Sequence, residues 1–165
     1  MLHKKSELYK YFFLSIIVLM TIFNGGYGNL YIQFNFIVIS FFFLIFINNK
    51  NYVAHVKKIL LKNKIPIYLF FLFISFLIFQ TVPLPIKWLS FLSPEKYKLL
   101  TSLEFDGSFN SISLNPTKSY FSILNYISLF LYLIIFKSLF YKILDVFRLY
   151  YFLVFLGALA SSVAI

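Results

Sequence analysis

Long apolar runs alternate along the 165-residue chain with short stretches rich in lysine and asparagine. An α-helix rises about 1.5 Å per residue, so a hydrocarbon layer of about 30 Å needs about 20 residues, within a range of about 17–25. Five runs come close to that length: residues 8–24, 30–47, 65–82, 120–136 and 149–165. In hydrocarbon an unpaired backbone amide is costly, so each run must satisfy its own backbone as a helix. The pattern predicts an all-α fold, a polytopic transmembrane helix bundle of about five spans in a single membrane region over residues 1–165.

The gaps between the runs have their own patterns. Residues 48–64 place Val53, Val56, Ile59 and Leu60 at helical spacing, with Lys57, Lys58 and Lys62 between them. That spacing predicts a short amphipathic helix lying among anionic headgroups, with docking of a cytoplasmic partner as the functional alternative. Residues 83–118 form the longest gap. Pro83 and Pro85 end the third run and force an extended exit. Trp88, Leu89, Phe91 and Leu92 suit the headgroup boundary, with Trp88 as an aromatic anchor. Ser93-Pro94-Glu95 reads as a helix start, with Ser93 as N-cap, and predicts a surface helix to about Leu103. Asn115-Pro116 repeats that grammar and launches the fourth run. The first run has a basic start (His3, Lys4, Lys5) like a signal peptide, but Asn24-Gly25-Gly26 is a poor cleavage site, so an uncleaved span is expected.

Composition decides the solvent. Hydrophobic residues make up 61% of the chain and charged residues 12%, against about 45–50% and about 25% for an ordinary soluble domain. Lipid is the environment that accepts so much exposed apolar side chain. The net charge of +10 would suggest nucleic-acid binding in a soluble protein. Here the basic residues sit in the gaps, so no nucleic-acid partner is expected. With the amino terminus in the cytoplasm, eleven of the 15 basic residues fall inside: Lys4, Lys5, Lys10, Lys50, Lys57, Lys58, Lys62, Lys64, Lys137, Lys142 and Arg148. Lys87, Lys96, Lys98 and Lys118 fall outside, in the external loop 83–118. The positive-inside rule favours this orientation. The absence of cysteine excludes disulfides and thiolate metal sites.

Candidate chemistry is sparse. His3 and His55 have no second ligand at metal spacing and read as interfacial residues. Glu104 and Asp106 form an acid-x-acid element in the external loop. It could hold a metal or act as a base, but Asp106-Gly107-Ser108 reads more simply as a turn. Gln33, Asn35, Asn125 and Ser128 lie within spans, where they would bond across helix contacts or line a polar cavity. Lys10 can snorkel to the headgroups. Gly157 and Ser161, four apart, suit a close helix crossing. No catalytic residue, metal ligand or cofactor-binding residue is assigned.

Several elements taken together resemble the amino-terminal part of the O-antigen ligase and polymerase family of bacterial envelope polysaccharide proteins. These are Gly25-Gly26 after the first span, Gln80-Thr81-Val82-Pro83-Leu84-Pro85 at the end of the third, Leu92-Ser93-Pro94 in the loop, and Ser113-Leu114-Asn115-Pro116 before the fourth. Asn115 stands where the family usually has Asp, and either residue caps a helix. The resemblance implies a multi-pass protein of the bacterial inner membrane that transfers or polymerises polyprenyl-diphosphate-linked glycan at the outer face, without metal or other cofactor. Its implied partners are membrane lipid and that glycan donor. The family's catalytic Arg and His residues belong to a later region with no counterpart here, so the chain alone is expected to be inactive. The last run stops at Ile165 without a flanking charge, and an amino-terminal fragment of a longer protein is expected. The alternatives are a non-enzymatic small membrane subunit and a transporter segment.

Overall fold

The computed structural model of the chain describes residues 2–22, 28–103, 107–140, 145–147 and 149–155. The elements, in chain order, are α1 (Leu2–Ile22), α2 (Asn29–Ile47), α3 (Lys50–Lys62), α4 (Lys64–Thr81), β1 (Pro83–Pro85), α5 (Ile86–Leu92), α6 (Pro94–Ser102), β2 (Phe109–Ser111) and α7 (Pro116–Leu139). Residues 145–147 and 149–155 are also helical. Among the described residues, α2, α4 and α7 are long and apolar enough to cross a membrane. They coincide with the second, third and fourth apolar runs. Residues 8–22 of the first run fall in α1, which begins before it and includes Lys4, Lys5, Glu7 and Lys10; residues 23 and 24 lie outside the described residues. Only the beginning of the fifth run, 149–155, falls within the described residues.

Each helix has a local cause. Helix α2 is apolar on all sides, as a lipid-embedded helix is. It starts at Gly28, whose φ of 123° is open to glycine and strained for any side chain. The Gly28 carbonyl accepts the Ile32 amide at 3.1 Å, which closes the first turn. Helix α3 is the amphipathic helix expected in the gap after α2. Its Val56 is buried, and Tyr52 and Leu60 pack on the core from the same side. Lys57, Lys58 and Lys62 are exposed. Helix α7 starts at Pro116, earlier than the apolar run alone predicts, because Asn115 caps it: Asn115 Oδ1 accepts the Lys118 amide at 2.9 Å.

The contacts group into two units, Met1–Lys64 with Ile127–Ile165, and Ile65–Tyr126. The first holds the core cluster of Phe13, Ile16 and Met20 from α1, Ile39, Phe42 and Phe46 from α2, Val56 from α3, and Ile134, Ile135 and Leu139 from α7, with Phe140 and Leu149. Aromatic rings knit it together. Tyr52 stacks on Phe46 at 4.4 Å between centroids, and Tyr9 meets Tyr52 edge-on at 5.3 Å. In lipid such packing acts through dispersion rather than through expulsion of water. At the other end of the α1/α2 pair the Tyr31 hydroxyl donates to the Met20 carbonyl at 2.7 Å, so the two helices run antiparallel.

The second unit contains α4, which buries Ile74 and leaves Ile65, Tyr68, Leu69, Phe71, Leu72 and Phe76 exposed. That surface is far larger than the apolar patches soluble monomers tolerate. The rest of the unit is the loop and the first part of α7, and the loop contains more order than the sequence suggests. Pro83–Pro85 pairs antiparallel with Phe109–Ser111 in the register Pro83↔Ser111, Leu84↔Asn110 and Pro85↔Phe109. Among the described residues the predominantly helical chain therefore carries one two-stranded sheet, which the expected all-α fold did not include. Prolines are tolerated there because both strands of such a sheet are edges.

Candidate functional site

The loop of the second unit is the candidate site, and it is built around a lysine. At its entrance the Gln80 carbonyl, at the end of α4, accepts the Ser113 amide at 3.0 Å. This bond, the β1/β2 pairing and the Ile86 amide to Ser108 carbonyl bond at 3.1 Å tie the incoming and outgoing chain together. Helix α5 turns Leu89 fully inward and leaves Trp88 and Phe91 exposed, the latter 87% accessible. The Ser93 amide then donates to the Leu89 carbonyl to close α5, and the Ser93 carbonyl accepts the Tyr97 amide to open α6. Ser93 stands at the N-cap position but makes no side-chain cap bond. Its backbone, with Pro94 in the first turn, makes the joint between two short helices.

Lys96, in the first turn of α6, is 6% exposed. Its ammonium donates to the Ser111 and Ser113 carbonyls at 2.5 Å each and to Ser111 Oγ at 3.3 Å. No carboxylate faces it among the described residues. Glu95, next in sequence, pairs on the exposed side with Lys98 at 3.4 Å. Burial pushes the Lys96 pKa below its ordinary value because the charged form has lost water. Around it, Ser111 Oγ donates to the Ser113 carbonyl at 3.0 Å, and Ser113 Oγ shares a hydrogen with Ser119 Oγ at 2.7 Å. An ammonium has three protons, and all three are used here. Lys96 is therefore a clasp that binds α6 to the strand and turn leading into α7. With no free proton or lone pair, it is neither a nucleophile nor a base in this arrangement.

The clasp gathers most of the elements that carry the resemblance. Gln80, Pro83–Pro85 and Ser113 are joined by the bonds described above, the Asn115 amide donates to Ser113 Oγ at 3.2 Å, and Ser93 and Pro94 open the helix that carries Lys96. Gly25 and Gly26 lie outside the described residues, as do Glu104, Asp106, Gly157 and Ser161. The side chain of His3 is also outside them, whereas His55 lies exposed on α3. Among the described residues no group of three or more His, Asp or Glu comes together as a metal site would require.

The polar residues of the spans separate into two kinds. Asn35 is buried, and its Oδ1 accepts the Tyr132 hydroxyl at 2.7 Å, a bond across helices. Ser128 is also fully buried, while Gln33 and Asn125 are exposed on their helices. An open depression of about 460 Å³ is lined by Tyr9, Ile45, Asn48, Asn49 and Lys50 and contains no acid or base pair.

One expectation is corrected. Lys10 does not snorkel. It is 8% exposed and pairs with Asp145 at 2.9 Å and Glu7 at 3.0 Å. Two carboxylates within reach hold the ammonium more strongly than a distant headgroup could. Asp145 had no visible role in the sequence. The available signal was scarcity, since the chain has only five acidic residues and an apolar helix carrying a lysine needs one. No family model, curated protein or solved structure matches the chain.

Proposed function

We propose that this chain is the amino-terminal membrane region of a protein resembling the O-antigen ligases and polymerases. It would sit in the bacterial inner membrane with five spans and a cytoplasmic amino terminus. It would help present polyprenyl-diphosphate-linked glycan at the outer face, with catalysis residing outside this chain. The observation that carries the reading is the clasped loop: matched elements spaced from Gln80 to Pro116 meet in one hydrogen-bonded unit between two apolar helices. Such a unit suits the rim of a lipid-linked substrate's entry path, with Trp88 and Phe91 turned outward.

The side assignments draw support from helix ends that meet. Tyr9 near the start of α1 touches Tyr52 of α3, and Lys137 near the end of α7 donates to Asn63 between α3 and α4 at 3.4 Å. Lys10 meets Asp145 just before the fifth run. Five alternating spans put all of these on the cytoplasmic side.

The test is photo-crosslinking from a benzophenone residue at position 91 of the chain in native membranes. Crosslinks to polyprenyl-diphosphate-linked oligosaccharide, and not to the same lipid phosphate without sugar, are expected. Absence of a glycan-dependent crosslink at positions 88, 91 and 109 would overturn the proposal. The buried Lys10–Asp145 pair favours a second reading, a transporter segment, since such pairs mark ion pathways. A Lys10→Met/Asp145→Leu chain that keeps the glycan crosslink would separate the two.

A further inference from the structure

We propose that Lys62, Lys64 and Lys137 form a site for the phosphate of an anionic phospholipid headgroup at the α3–α4 turn. Three observations carry this, and none depends on the glycan reading. The first is convergence. Lys62 ends α3, Lys64 begins α4, and Lys137 lies in the last turn of α7. Asn63 joins them: its Nδ2 donates to the Ile59 carbonyl at 2.7 Å, and its Oδ1 accepts the Lys137 ammonium at 3.4 Å.

The second observation is uncompensated charge. All three lysines are exposed. None is in an ion pair among the described residues, where the paired cations are Lys10 and Lys98. Helices α3, α4 and α7 contain no Asp or Glu at all. Lys62 and Lys64 flank Asn63 in the chain and Lys137 bonds to it, so a phosphate at this turn would meet three cations with no carboxylate on the same helices.

The third observation is the apolar path beside them, which selects a lipid over a soluble anion. Leu129, Leu133 and Lys137 follow one another at four-residue spacing along one stripe of α7, and both leucines are exposed. Leu61, next to Lys62, is exposed as well. A lysine at the end of an exposed leucine stripe matches a headgroup with its acyl chain below. A free phosphate or a nucleic acid would leave that stripe without a partner. The expected amphipathic role of α3 is thereby narrowed to its carboxyl end, together with a lysine from α7.

The experiment reconstitutes the full chain in phosphatidylcholine bilayers and measures, with spin-labelled lipids, the preference for phosphatidylglycerol over phosphatidylcholine. The wild type is expected to prefer phosphatidylglycerol about tenfold, and K62Q/K64Q/K137Q to lose most of that preference. The control K87Q/K98Q/K118Q, which removes exposed loop lysines, is expected to keep it. Full preference in the first triple variant, or equal loss in both, would overturn the site. Since Lys137→Gln also loses the bond to Asn63, K62Q/K64Q is measured beside it, and an unchanged preference in that double variant counts against the proposal. Inorganic phosphate at constant ionic strength is expected not to compete. If it abolishes the preference, the site takes a soluble anion and the lipid assignment fails.

Discussion

Lys10 and Lys96 are both buried lysines, and they are held in opposite ways. Lys10 is met by two carboxylates, one local and one 135 residues away. Lys96 is met by two carbonyls and a hydroxyl, with no counter-charge. A charge in hydrocarbon needs an opposite charge, because the dielectric offers little else. A charge in a folded loop next to water can be held by dipoles, since the aqueous field beyond still stabilises it in part. The two lysines therefore show two ways of burying a cation, by counter-charge among the first unit's helices and by dipoles in the second unit's loop.

Breaking the ion pair should give the largest effect. Lys10→Met leaves Asp145 buried without its partner and is expected to cost about 3–5 kcal/mol, read as a lower midpoint of helix loss in detergent denaturation. Lys10→Met/Asp145→Leu removes both charges and should recover most of that loss. If the double variant is as unstable as the single one, the pair is not what holds these segments together. Breaking the clasp should cost less. Lys96→Met strands the Ser111 carbonyl, leaves the Ser113 carbonyl with the Ser111 hydroxyl alone, and is expected to cost about 1–3 kcal/mol. Trp88 is the chain's single tryptophan, and it sits on α5 beside the clasp, so its emission reads this transition locally.

Smaller substitutions sharpen the contrast. Asn115→Ala should cost about 1 kcal/mol in detergent denaturation by removing the cap of α7, while Asn115→Asp should be silent in the same assay. Tyr132→Phe, which leaves Asn35 without its donor, should cost about 0.6 kcal/mol in the detergent assay. The pH dependence of the clasp should be the weakest signal. The Lys96 pKa lies below that of the unfolded chain, which therefore binds more protons in the interval up to 10.5. Loop stability should rise as pH climbs through that interval, and the destabilisation should be complete below the folded pKa. The wild type minus Lys96→Met difference in Trp88 unfolding isolates the effect; a difference that falls with rising pH would contradict it.

The features legible in the sequence are those set by local rules. Helices α2, α4 and α7 follow from apolar length, and α3 follows from the spacing of Val53, Val56, Ile59 and Leu60. The Asn115 cap is a rule about four consecutive residues and could be read directly. Ser93 obeys the same rule by position, yet its side chain makes no cap bond, because the joint there is made by backbone alone. The β1/β2 pairing, the clasp and the Lys10–Asp145 pair join residues separated by about 15 positions or far more. No periodicity encodes such meetings. Lys96 looked like one of four external lysines, and only its burial distinguishes it from Lys87, Lys98 and Lys118.

The Lys10–Asp145 pair also has a consequence in time. A ribosome adds about 5–20 residues per second. Lys10 leaves it 135 residues before Asp145, so it waits on the order of ten seconds for its distant partner. During that wait Glu7, one turn away on α1 and 3.0 Å from the ammonium, is already present. In the finished protein it is the lesser of two partners; during synthesis it is the one at hand.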